Sequence, residues 1–186
     1  MKITLLNGTE TEKQTRTRLE AIIQRYEKQL SKWTFKDEFV IQDEGFSNSH
    51  PVLTFASNQL LPRDDNEVLS IFIHENLHCF FDLRLDAFHQ VMDEIRSKYP
   101  EVPVGRVNGV HLGAHDKESR YNHLVVCFLE HFPLVGIIGK CFAEETLARH
   151  DYYKWIYQTV LSDYDDMKAI ILDKYDLNPL TLGMSR

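Results

Sequence analysis

The sequence His74-Glu75-Asn76-Leu77-His78 combines residue types, at a spacing, that could bind and use a metal ion. Side chains four residues apart lie on the same face of a helix, so His74 and His78 could hold one ion between them. Glu75 is about 100° further round the helix, where its carboxylate could reach a water molecule on that ion. These are the groups that a zinc hydrolase needs. The spacing therefore predicts His74 and His78 as zinc ligands and Glu75 as the general base.

The residues around this motif predict a buried helix that begins shortly before it. Asp64 could cap the helix, and Glu67 three residues later could complete a capping box. No Pro or Gly follows until Pro100, and the segment around the motif is apolar on nearly every side. Burying two histidines and a glutamate there is unfavourable unless each has a partner, which a divalent cation would supply. The alternative interpretation is a pair of structural core histidines beside a solvated Glu75.

A catalytic zinc site needs a third protein ligand, and several residues are candidates. His123 is the first choice because it opens an otherwise apolar stretch that should be a buried helix. Glu130 follows close to two turns later on the same face, and it could be the ligand itself or could hold His123 through that residue's second nitrogen. The remaining candidates for the third ligand are Glu144, Glu145, His111, His115, His131 and His150.

Length, charge and cysteine usage limit the class of protein. The 186 residues fit one domain, 1–186, and the net charge of −7 without a compensating basic cluster argues against a nucleic-acid or membrane partner. The N-terminal segment becomes polar too quickly for a signal peptide, and the apolar stretch 123–142 is interrupted by charged residues and Pro133. We therefore expect a cytoplasmic protein, with Cys79, Cys127 and Cys141 as reduced core thiols.

The hydrophobic periodicity predicts three short strands followed by several helices. The predicted strands are 2–6, 39–41 and 51–56. The predicted helices are 9–33, 65 to Pro100 with a bend near Asp82, 119–131 ended by Pro133, 135–149 and 151–175, with a loop at 100–116. This order predicts an α+β domain that is mainly helical and has a small sheet of about three strands.

The HExxH helix resembles that of the zincin metallopeptidases, a resemblance that covers about a tenth of the chain. The metzincin extension would require Gly and His where this chain has Phe81 and Arg84. The gluzincin pattern would require Asp four residues after a Glu, where this chain has Leu134, Ala148 or Arg149. The GTxDxxYG pattern of the aspzincins is also missing. The chain is therefore identified as a small, divergent member of the zincin group, with a zincin-like fold and Zn²⁺ as the expected cofactor.

The resemblance implies a mechanism and a substrate class. In zincins an edge strand before the active-site helix pairs with the substrate backbone, and residues 52–57 would be that strand. Glu75 would act as base towards the attacking water and then as acid towards the leaving amine. The candidates for a second electrophile are Tyr121, Tyr153, Tyr157 and His150. The short chain leaves little material for a substrate-binding subdomain, so we expect a peptide or a small amide as substrate.

Three functions remain open from the sequence. The first is a zinc-dependent metallohydrolase, a peptidase that uses His74, His78 and His123 as ligands. The second is a non-catalytic structural or sensor zinc site, which would have no use for Glu75 and would normally recruit a fourth ligand such as Cys79 or Cys127. The third is a metal-free helical interaction domain in which the motif is coincidental.

Overall fold

The N-terminal part of the chain builds a three-stranded parallel sheet. The computed structural model describes residues 1–103, 105–107, 110–111 and 116–183. Strands β1 (Lys2–Leu5), β2 (Glu38–Gln42) and β3 (Thr54–Ala56) lie in the order β1-β2-β3. In this register Ile3 is opposite Phe39, and Ile41 is opposite Phe55. The alternating buried residues of β2 place Phe39 and Ile41 in the core beneath the helices.

Helices make up most of the remaining structure, so the predicted α+β class with a mainly helical character is confirmed. In chain order they are α1 (Glu10–Arg25), α2 (Glu27–Leu30), α3 (Ser57–Leu60), α4 (Asp65–Phe81), α5 (Leu85–Lys98), α6 (Lys117–Ile138), α7 (Lys140–Arg149), α8 (Lys154–Ser162) and α9 (Tyr164–Lys168). A π-helical turn, Ala169–Lys174, and a 3₁₀ turn, Pro179–Gly183, follow. The predicted loop at 100–116 contains two short antiparallel strands, β4 (Arg106–Val107) and β5 (Val110–His111).

Helix α4 carries the HExxH motif and begins at the predicted cap. The Asp64 side chain accepts a hydrogen bond from the Glu67 backbone N–H at 2.9 Å, and the Glu67 side chain accepts one from the Asp64 backbone N–H at 3.2 Å. This capping box satisfies orphan N–H groups of the first turn. The helix is anchored on the sheet by Phe72, which stacks on Phe55 with a centroid separation of 5.6 Å. The predicted bend is observed as a break between α4 and α5.

Helix α6 forms the centre of the helical layer and differs from its prediction. It continues through Pro133 and ends before Gly139, whose φ of 84° allows the chain to reverse. Pro133 removes one backbone donor, but it is buried and the packing of α6 against α4, α7 and α8 holds the helix together. By length and composition alone α6 would qualify as a membrane span, although most of it is buried inside the fold.

The three cysteines occupy two kinds of environment. Cys79 on α4 and Cys127 on α6 are buried free thiols, as predicted. Cys141 is also a free thiol, but it lies on an exposed face of α7, so its predicted place in the core is wrong. It directly follows Lys140 at the start of a helix of which only one side faces the core.

Candidate metal centre

Three histidines from two helices come together beside the motif. His74 and His78 project from α4, and His123 projects from the facing side of α6. Their ring centroids are separated by 5.1 Å (His74 to His78), 5.0 Å (His78 to His123) and 5.4 Å (His74 to His123). One ring nitrogen of each lies within 4.8 Å of the others. The structure thus places the three predicted ligands in one cluster.

Two of these rings have their second nitrogen held by a neighbouring acceptor. Nδ1 of His74 donates to Oε2 of Glu130 at 2.9 Å, and Nδ1 of His123 donates to the carbonyl oxygen of Ser119 at 2.5 Å. With Nδ1 occupied in this way, Nε2 of each ring is available as a metal ligand. These contacts correct one expectation from the sequence, because Glu130 holds His74 and not His123.

Three ring nitrogens form a donor set that could hold a divalent metal ion. Tetrahedral zinc with Zn–N distances of about 2.0–2.1 Å places ligand nitrogens about 3.3 Å apart, so side-chain adjustments on the order of 1 Å would close the cluster around an ion. Three imidazoles would leave a fourth position on such an ion for water or another ligand.

Glu130 is the centre of a buried hydrogen-bond network beneath His74. Its carboxylate has no exposed surface, and besides His74 it accepts hydrogen bonds from the Ser70 hydroxyl and, at 3.0 Å, from the Tyr157 hydroxyl. The Ser70 oxygen is in turn 2.8 Å from Nε2 of His150. The network holds the ring of His74 through its Nδ1, which is the usual role of an outer carboxylate at a metal site.

A second potential ligand group shares His74. The ligand atoms of His74, Cys127 and Glu130 also lie within 4.8 Å of one another, and all three residues are buried. Burial raises the pKa of the Cys127 thiol above its ordinary value, although its contact with His74 opposes this shift. A thiolate is the form that binds zinc, so metal binding at Cys127 would release the thiol proton.

The electrostatics of the cluster favour neutral imidazoles at two of the three positions. Burial, together with the neighbouring histidines, lowers the pKa of His78 well below its usual range, and burial lowers the pKa of His123 to about 3. Burial also acts to lower the pKa of His74, but hydrogen bonds to Cys127 and Glu130 and the charge of Glu130 outweigh it and raise this pKa. Neutral imidazole is the form that binds a metal ion, so the environments of His78 and His123 suit ligation.

Glu75 lines a cleft of about 310 Å³. Only 9% of its surface is exposed, and burial raises its pKa to about 7. His74 and Tyr153 line the same cleft. A carboxyl group with a pKa near neutrality can both accept and return a proton at physiological pH.

The four candidates for a second electrophile occupy different places. Tyr153 lines the cleft, and its ring lies 4.2 Å from the ring of His123. Its backbone is left-handed, with a φ of 58°, which is unusual for a tyrosine and typical of functional sites. Tyr157 and His150 belong to the Glu130 network, and Tyr121 donates to the Tyr99 carbonyl away from the cleft. Tyr153 is therefore the candidate nearest the cluster.

The other candidates for the third ligand lie outside the cluster or outside the described residues. Glu144 is 3.9 Å from His131 and 3.8 Å from Lys140, and Glu145 is exposed on α7. His115 lies outside the described residues, and His111 is described only as part of β5. Glu144, Glu145 and His131 are therefore not brought to the motif.

The predicted substrate-binding strand is at the edge of the sheet, but its outer edge is occupied. Thr54 exchanges two backbone hydrogen bonds with Asn48, at 2.9 and 2.7 Å, and the Ala56 N–H donates to the Ser47 hydroxyl at 3.1 Å. Ser57 already begins α3. The expectation that residues 52–57 pair with a substrate backbone is thus not met at Thr54 or Ala56, because the loop before β3 folds back onto it.

Sequence reasoning missed two residues that help to orient the candidate ligands, Ser119 through its carbonyl oxygen and Ser70 through Glu130. Ser70 precedes His74 by four residues, and Ser119 precedes His123 by four residues, so each lies on the same helix face as its histidine. This spacing is the signal that could have identified them.

No protein-family model, curated protein or solved structure matches this chain.

Proposed function

We propose that this protein is a zinc-dependent metallohydrolase of the zincin type that cleaves a peptide or small amide bond. His74, His78 and His123 would hold the ion, and Glu75 would be the general base. The observation that carries the proposal is the convergence of three histidines next to a buried glutamate that faces a cleft.

Each group of the site would have a separate role in amide hydrolysis. A bound zinc ion would supply a Lewis acid that polarises the scissile carbonyl and makes a coordinated water more acidic. Glu75 would take the proton of the attacking water and return it to the leaving nitrogen, a role that its position at the cleft beside His74 supports. The Tyr153 hydroxyl would donate a hydrogen bond to the oxygen on which negative charge develops.

A non-catalytic zinc protein is the second candidate, and one observation favours it. The His74, Cys127 and Glu130 group is fully buried, as expected of a closed structural site. The hydrolase is preferred because Glu130 is already engaged by three donors, whereas Glu75 is directed to a cleft.

The test combines zinc binding with hydrolysis. Zinc-loaded wild type and the Glu75→Gln variant would be compared on a panel of N-acyl amino acid amides and dipeptides, with the exposed Glu145→Gln as the matched control. We expect Glu75→Gln to retain zinc and to lose about 10² to 10⁴-fold in rate, while Glu145→Gln is unchanged. Stoichiometric zinc without any hydrolysis that depends on Glu75 would support the non-catalytic function instead.

A further inference from the structure

The cleft beside Glu75 has features that select a substrate, given the hydrolase function proposed above. We propose that the substrate is a short peptide or an N-acyl amino acid with a free carboxylate and an apolar side chain. Arg63 would bind the carboxylate, and the aromatic wall formed by Phe46, Tyr152 and Tyr153 would pack on the side chain. Three observations carry this inference.

The first observation is the position of Arg63. Of the described residues that line the cleft, Arg63 is the one with a permanent positive charge. Its Nη1 donates to Oε1 of Glu67 at 3.0 Å, and both side chains are largely buried. Glu67 is itself fixed by the capping box of α4, so the guanidinium is held in place by a rigid partner. The ion pair with Glu67 uses one of the five N–H groups of the Arg63 guanidinium. A planar guanidinium is suited to binding a carboxylate through two of the others.

The second observation is the aromatic wall. Phe46 comes from the loop before β3 and Tyr152 from the connection between α7 and α8, and their rings meet edge to face at 6.3 Å. Phe46 is 60% exposed and lines the cleft, so its ring is accessible to a ligand there. Ile71 and Tyr153 extend the apolar lining towards Glu75. An apolar substrate side chain would cover this surface while the scissile bond lies near Glu75.

The third observation limits the length of the substrate. The cleft, at about 310 Å³, is at the small end of ligand pockets. Its rim is fixed because the Ser47 N–H donates to Oε1 of Gln59 at 2.7 Å, while Asn48 covers Thr54 of β3. An extended polypeptide therefore has no free strand edge to pair with at these positions. A compact substrate that is held by its terminal carboxylate needs no such edge.

Binding, rather than turnover, tests this proposal. N-acetyl-L-phenylalanine and N-acetyl-L-phenylalaninamide would be titrated by calorimetry into the Glu75→Gln variant, both zinc-loaded and metal-free. We expect the acid to bind about tenfold more tightly than the amide in both forms, because only the acid forms a charged pair with Arg63. Adding Arg63→Gln should reduce this preference to about twofold or less. Arg149→Gln, which removes an exposed guanidinium paired with Asp64 outside the cleft, should leave it unchanged.

Several results would overturn the assignment. Equal binding of acid and amide would do so, as would a preference that survives Arg63→Gln. A preference seen only in the zinc-loaded form would place the carboxylate on the metal and not on Arg63. If Arg63→Gln does not fold, Arg63→Lys replaces it, and the expected result is a preference reduced several-fold because the forked geometry is lost.

The proposed preference for an apolar substrate side chain can be tested separately. N-acetylglycine should bind the Glu75→Gln protein at least about fivefold more weakly than N-acetyl-L-phenylalanine, and adding Phe46→Ala should remove most of that difference. Equal binding of the two ligands would refute the aromatic wall as a recognition element. Failure of the protein to bind zinc would refute the proposed function, whereas the acid preference can still be measured without metal. The two proposals therefore fail separately.

Discussion

Replacing Glu130 with Gln should weaken zinc binding without unfolding the protein. The carboxylate accepts hydrogen bonds from Ser70, His74 and Tyr157, and it has no contact with solvent. In the variant the amide oxygen can still accept from His74 and Tyr157, which share Oε2 in the wild type. The amide nitrogen would then face Ser70, whose hydroxyl can turn to donate to His150. The lost property is the negative charge that makes His74 a better ligand.

The expected effects of the Glu130 variants on zinc affinity and on the free energy of unfolding differ in size. Loss of an outer carboxylate typically lowers metal affinity about 10 to 100-fold. The free energy of unfolding of the metal-free protein should change by less than about 2 kcal/mol in Glu130→Gln, because the hydrogen bonds are largely kept. Glu130→Ala would leave three buried donors without acceptors and should lose at least about 3 kcal/mol. Zinc competition against a chromophoric chelator measures the affinity, and urea unfolding measures the stability.

Two outcomes would refute this reasoning about Glu130. Unchanged zinc affinity in Glu130→Gln would mean that the carboxylate does not support His74. A complete loss of zinc, equal to that of His74→Ala, would make Glu130 a direct ligand and would favour the group that includes Cys127. The exposed Glu145→Gln is the control for a change of one charge, and it should match the wild type in both measurements.

The remaining predictions concern protonation, the third ligand and the core. The pKa of Glu75 is raised to about 7, so the metal-free fold loses stability as pH rises from about 4.5 through 7. The free energy of unfolding of Glu75→Gln, relative to that of the wild type, should therefore increase by on the order of 2 to 3 kcal/mol from pH 5 to pH 8. Urea unfolding across this range measures the difference, and a difference independent of pH would contradict the prediction. His123→Ala should abolish stoichiometric zinc binding by elemental analysis, whereas His131→Ala should retain it. Phe72→Ala should destabilise the fold by about 3 to 5 kcal/mol in thermal or urea unfolding, and a loss below 1 kcal/mol would contradict its role between helix and sheet.

The parts of the site that the sequence predicted depend on local signals. The capping box at Asp64 and the four-residue spacing of His74 and His78 are properties of one helix, so they can be read without the fold. His123 could be ranked first because it opens an otherwise apolar helix that should be buried, and because the motif helix needs a third ligand. The structure brings these three histidines together.

The parts that the sequence did not predict depend on how elements pack. Glu130 shares a helix face with His123, yet the rotation of α6 against α4 directs it to His74. Pro133 was expected to end its helix, but burial on α6 outweighs the loss of one hydrogen bond. The outer edge of β3 is hydrogen-bonded to Asn48, which lies in a loop whose path no local pattern specifies. Each of these differences involves contacts between segments that are distant along the chain.

X-ray absorption at the zinc edge of the zinc-loaded protein would identify the atoms that bind the ion. We expect one zinc per chain with three imidazole nitrogens and one oxygen at about 2.0–2.1 Å, and no sulfur ligand. A sulfur ligand at about 2.3 Å would place the ion with Cys127 and contradict the catalytic site. A protein that takes up no zinc would contradict metal binding by the three histidines altogether.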